Sequence, residues 1–164
     1  MSERKSRRPV DEEHPVIAAM VKALRAVGGP LKLSRIFAVA LESGDLPESA
    51  HNTIRGRASQ HMETVAPVLI KLPKRRGWMR RDARLRKLKV TREWVTDAGA
   101  PSPLVDLVGD LNGNPSLERV LKERIDSASV EWLLETLPFD ADLAERLREA
   151  TSTAERREVL KDAG

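Results

Sequence analysis

Lys71 to Arg92 reads KLPKRRGWMRRDARLRKLKVTR, eleven cationic side chains against the single acid Asp82. A disordered basic arm, a basic helix and a charged hairpin are three ways to build such a stretch, and the flanking residues choose among them. Just upstream, Val68, Leu69, Ile70 and Leu72 are dense in β-formers. Gly77 and Asp82-Ala83 offer turn positions, and Leu88 and Val90 alternate with Lys87 and Lys89 at a period of two. That pattern predicts a two-stranded ribbon. A competing basic helix carries Trp78, Leu85, Leu88 and Val95 on one stripe, but Arg81 or Asp82, and then Arg92, fall in its gaps. The ribbon is the favoured reading.

Three helices precede it. Pro15 suits a first helical turn, where its missing N–H is no loss, and Val16, Ile17, Met20, Val21, Leu24 and Val27 recur at helical spacing until Gly28-Gly29-Pro30 stops the run. His14, just before Pro15, is a candidate cap. Ser34 is an N-cap candidate for a second helix bearing Ile36, Phe37, Val39 and Ala40 and ending near Ser43-Gly44. A third begins around Glu48 or Ser49, with Ala50, Ile54, Ala58, Met62 and Val65 within about 120° of arc. Two helices joined by a glycine-containing turn, with a helix before them and a charged hairpin after, are the winged helix-turn-helix plan.

Asp97 to Pro103 reads DAGAPSP, a linker composition. Beyond it helical segments are expected at 104–111, 116–126, 129–137, 142–150 and 153–162, with Asp140 a cap and Ser152 and Glu155 at capping-box spacing. The expected fold is mainly α with a small β-hairpin. It divides into a basic tail over 1–13, a winged helix-turn-helix domain over 14–97, a linker over 98–103 and an acidic helical region over 104–164 that dimerises or binds a partner.

Charge supports a polyanion partner for the first part. Residues 1–100 hold 21 Lys and Arg against 11 Asp and Glu, whereas 101–164 hold 8 against 14. Each phosphate neutralised by a cation releases condensed counterions, and eleven cations beside one acid repel one another until an anion arrives. Aromatic residues make up only 3% of the chain, with no Tyr, too few to stack single-stranded bases, so duplex DNA is favoured among nucleic acids. The absence of cysteine excludes disulfides and thiolate metal sites. No apolar run approaches the roughly eighteen residues of a membrane span, the N-terminus lacks a signal-peptide pattern, and a cytoplasmic location is expected.

DARLRKLKVT, Asp82 to Thr91, resembles the wing signature of MarR-type bacterial regulators; VLIKLP is similar to the strand that enters such a wing, and HNTIRGRASQHM to a recognition helix. The resemblance covers residues 15–95. It implies that Arg84 is the wing arginine entering the minor groove, that Asp82 is its structural partner, that the third helix lies in the major groove, and that terminal helices form a homodimer. The connection Glu42 to Pro47 and the wing from Lys71 to Asp82 are both longer than that family's pattern. VGGPLKLSRIF and HNTIRGRASQHM also resemble winged modules attached to restriction enzymes and polymerase subunits, which implies an accessory protein of replication, restriction or RNA polymerase, phage- or plasmid-borne.

With Ile54 at the centre of the buried face, Asn52, Gly56, Ser59 and Glu63 point the opposite way, flanked by Ser49, Thr53 and Gln60 on one shoulder and Arg55 on the other. Asn and Gln pair bidentately with adenine and Arg with guanine, and Gly56 removes bulk where backbone must approach DNA. His51 and Arg57 join this candidate set; Lys74, Arg75, Arg76, Arg80, Arg81, Arg84 and Arg86 supply it from the ribbon. His61 beside Met62, and Trp78 and Trp94, are expected to pack, and Trp132, amid Val130, Leu133 and Leu134, reads as core or dimer interface. Three scattered histidines make no zinc site, no nucleophile stands beside a base, and the candidate partner is double-stranded DNA, with no cofactor, catalytic residue or membrane.

Overall fold

The computed structural model describes residues 13–162. Among them the chain is mainly helical, with nine α-helices and one antiparallel two-stranded hairpin. It divides into two compact units whose boundary runs through the basic segment. Lys71 and Gly77–Asp82 belong to the first unit, Leu72–Arg76 and everything from Ala83 to the second. Residues 98–103 do not separate domains, because α4 (Arg92–Asp97) and α5 (Ser102–Asp110) on either side pack on each other within the second unit.

In the first unit, α1 (Pro15–Val27) packs against α2 (Leu33–Glu42), α3 (Ile54–His61) and β2 (Gly77–Arg80). The imidazole Nδ1 of His14 accepts from the Val16 amide at 3.1 Å, and the chain turns off α1 through the left-handed Gly28, whose N–H closes onto the Leu24 carbonyl. Ile17, Met20, Leu24, Ile36, Ala40, Ile54 and Ala58 interlock in the core. The second helix starts one residue before Ser34 and is entered from Lys32, with no side-chain cap.

The third helix is shorter than its apolar spacing suggests. A 3-10 turn over Glu48–Asn52 precedes it, and it ends at His61. Val65, read as part of its buried stripe, is 58% exposed. The buried His61 accounts for the ending: its Nε2 accepts from the Val68 amide at 2.9 Å, tying the helix end to the chain entering β1 (Leu69–Leu72). β2 pairs with β1 on one side and forms a bridge to Leu31 on the other, through N–H···O contacts of 2.8 and 3.1 Å with Trp78.

The hairpin is tighter than the expected ribbon. Its second strand is Gly77–Arg80, and 85–87 is a 3-10 turn. The alternation of Leu88 and Val90 instead serves a separate extended stretch in the second unit, where Lys89 bridges Ser116 and the Val90 and Leu117 amides donate to the Pro115 and Leu88 carbonyls at 2.8 and 2.7 Å. Period-two burial is shared by any half-buried extended chain, so it identifies the strand without its partner.

The second unit also contains α6 (Leu117–Leu121), α7 (Ser127–Thr136), α8 (Ala141–Glu149) and α9 (Thr153–Asp162). Asp140 caps α8 by accepting from the Asp142 and Leu143 amides, and the Ser152 hydroxyl caps α9 by accepting from the Glu155 amide, while the Glu155 carboxylate accepts from that hydroxyl rather than from the Ser152 backbone N–H of a full capping box. Trp94, Leu104, Val108, Leu117, Leu121 and Leu133 are fully buried.

Candidate nucleic-acid interface

In the first unit, the 3-10 turn and α3 carry one continuous polar surface. Ala50, Ile54, Ala58 and His61 are buried and fix the orientation of the segment. Ser49, His51, Asn52, Thr53, Arg55, Gly56 and Ser59 are exposed, and Arg57 and Gln60 half-buried. His51 packs edge-on against Phe37, with ring centroids 5.2 Å apart, and its Nδ1 lies 3.4 Å from the Asn52 amide oxygen. The Thr53 hydroxyl donates to the Ala50 carbonyl, which occupies it in closing the turn. A Cβ at Gly56 would meet no heavy atom within 4 Å, so the fold itself does not require glycine there.

The same unit holds Arg80 and Arg81 at the end of β2. The half-buried Arg80 pairs with Asp82 at 2.9 Å; the exposed Arg81 turns back, its Nε donating to the Pro67 carbonyl at 2.8 Å. Asp82 therefore partners Arg80, not Arg84 as the wing resemblance implies. Arg84 belongs to the second unit and precedes the 3-10 turn over 85–87 rather than standing on a hairpin.

The remaining candidates from the ribbon, Lys74, Arg75, Arg76 and Arg86, also lie in the second unit, and several are already neutralised. Arg76 donates to the Glu135 carboxylate at 2.8 Å and to the Thr136 hydroxyl, and its guanidinium lies 4.8 Å from the Trp132 ring centroid. Lys74 reaches the same carboxylate at 3.4 Å, and the Trp94 indole N–H donates to the Arg76 carbonyl at 2.7 Å. Arg86 is paired with Glu118 through two of its nitrogens. These cations hold both carboxyl groups below the usual value of 4.5, the hydrogen bond from Arg86 acting first on Glu118 and that from Arg76 first on Glu135. Arg75 and Arg84 are exposed and make no ion pair with another described residue.

The charge imbalance along the chain is thus largely resolved in space. Among the described residues the second unit holds 16 Lys and Arg against 16 Asp and Glu, and the first 9 against 6. Glu118 and Glu135 lie 32 and 59 residues from their arginines, so no local pattern announces them. A further buried cation also went unread: Arg156 is 5% exposed, donating to the Leu121 and Glu123 carbonyls at 3.1 and 3.0 Å. Its place four residues before the buried Leu160 was the available signal. Among the described residues no group of three or more His, Asp or Glu is arranged to hold a metal ion, and no helix is long and apolar enough to cross a membrane. The chain matches no protein-family model, no curated protein sequence and no solved structure.

Proposed function

We propose that the chain binds duplex DNA through the polar surface from Ser49 to Gln60, as a regulator of transcription built on a winged helix-turn-helix plan. The observation that carries this is the division of one short segment into a buried anchor and an outward set rich in base-reading groups. Asn52 and Gln60 have the paired donor and acceptor that match adenine, and Arg55 the fork that matches guanine. Gly56, in open space, lets backbone approach the groove. Arg57 contributes to phosphate attraction, and the exposed Arg81 supplies a backbone contact from the same unit.

The paired state of Lys74, Arg76 and Arg86 favours a different role for the second unit, contact with a second copy or another protein. The accessory-protein reading keeps its place there: co-purification of a large enzyme, with no preferred DNA site, supports it.

Selection of bound sequences from a random duplex pool tests DNA reading. The parent chain enriches a defined motif, Asn52→Ala changes the preferred base at one position, and Arg55→Ala lowers affinity by about 1–3 kcal/mol while relaxing preference at another. If the parent enriches nothing, or both variants keep its affinity and preference, the assignment fails.

A further inference from the structure

The second unit contains a cavity of about 670 Å³ that DNA binding does not use. Its floor is apolar: the buried Leu117, Leu121 and Leu160 lie beneath, and the half-buried Leu85, Phe139 and Leu143 present apolar surface to it. Its rim is cationic, with Arg84, Arg86 and Lys87 on one side. Glu118, the acid on that wall, is paired with Arg86. Arg84 and Lys87 are exposed and have no ion pair with another described residue, so the net character of the rim is positive. The volume is that of a small-molecule site, predominantly apolar with a few charged groups to fix orientation.

We propose that this cavity binds a single-chain aliphatic carboxylate, its alkyl chain on the leucine floor and its carboxylate between Arg84 and Lys87. Each methylene that enters leaves water, which favours chains long enough to cover the floor. The cationic rim selects against neutral and positively charged amphiphiles of the same length. This inference is independent of the DNA reading.

Calorimetric titration of the full chain with sodium decanoate, decanol and decyltrimethylammonium, all below their aggregation thresholds, tests it. Decanoate binds saturably at one site, more tightly than decanol, with the cation weakest. The double variant Arg84→Gln, Lys87→Gln, altered only at exposed positions, keeps its helical circular dichroism, loses about tenfold in decanoate affinity and leaves decanol unchanged. Leu143→Trp, which fills the groove, weakens decanoate and decanol together. Equal binding of the three amphiphiles, no saturable decanoate binding, or a double variant indistinguishable from the parent overturns the proposal. A dimer that covers the groove and is dissociated by Leu143→Arg, with no decanoate uptake, also overturns it.

Discussion

Gly56 separates a structural requirement from a functional one. Its backbone is helical, and a Cβ would project into open space, so Gly56→Ala relieves the entropic penalty of a helical glycine. Chemical denaturation should report a gain of about 0.5–1 kcal/mol, while fluorescence anisotropy reports weaker binding to the selected duplex. Stabilisation without any loss of binding would show that DNA does not approach this backbone. Arg156 poses the opposite case. Burial pulls its pKa below the ordinary arginine value, and its guanidinium satisfies two carbonyls at the end of α6 and just beyond it. Arg156→Met should destabilise the second unit by about 2 kcal/mol, because those acceptors lose a charged donor. Arg156→Lys should recover only part of this, since one ammonium does not span both carbonyls as the planar fork does.

At the scale of an element, the turn between β1 and β2 is the informative case. Lys74 and Arg75 both adopt left-handed backbone, with φ of 57° and 59°, a conformation disfavoured for residues bearing a Cβ. The turn is held in place by Arg76, through Glu135, Thr136 and the Trp132 face, and by the Trp94 indole. Arg75→Gly should therefore raise stability in urea by about 0.5–1 kcal/mol, even though it removes a solvent-exposed cation. Arg75→Val should lower it. The third helix teaches the complementary lesson. Its apolar spacing ran on to Val65, yet the helix stops at His61, where the imidazole exchanges helical continuation for a hydrogen bond to the Val68 amide. Spacing reports which residues are apolar; it does not report a side chain that caps the run from within.

For the molecule as a whole, acid should act on the second unit through Glu118 and Glu135. Both carboxyl groups titrate lower when folded than when unfolded, so their contribution is complete above the ordinary value of 4.5 and is lost as pH falls through the lower folded values. Urea midpoints measured from neutral pH down to about pH 3 should fall less for Glu118→Gln and Glu135→Gln than for the parent. Parallel pH profiles would show that neither pair responds. Both carboxylates are partly exposed, so salt should weaken the pairs as well.

The sequence by itself determined the helical class, a small hairpin, the caps at His14, Asp140 and Ser152, and the burial of His61 and of the three tryptophans. Each follows from local chemistry: periodic apolar residues, cap donors and acceptors within a few positions, and side chains too apolar to leave in water. Only the tertiary structure decided which strand β2 is, where the chain divides, and which cations of Lys71–Arg92 are already paired. Those outcomes depend on carboxylates, carbonyls and extended partners tens of residues away, and Coulombic and hydrogen-bonding partners are set by distance in space, which a linear count of charges does not contain.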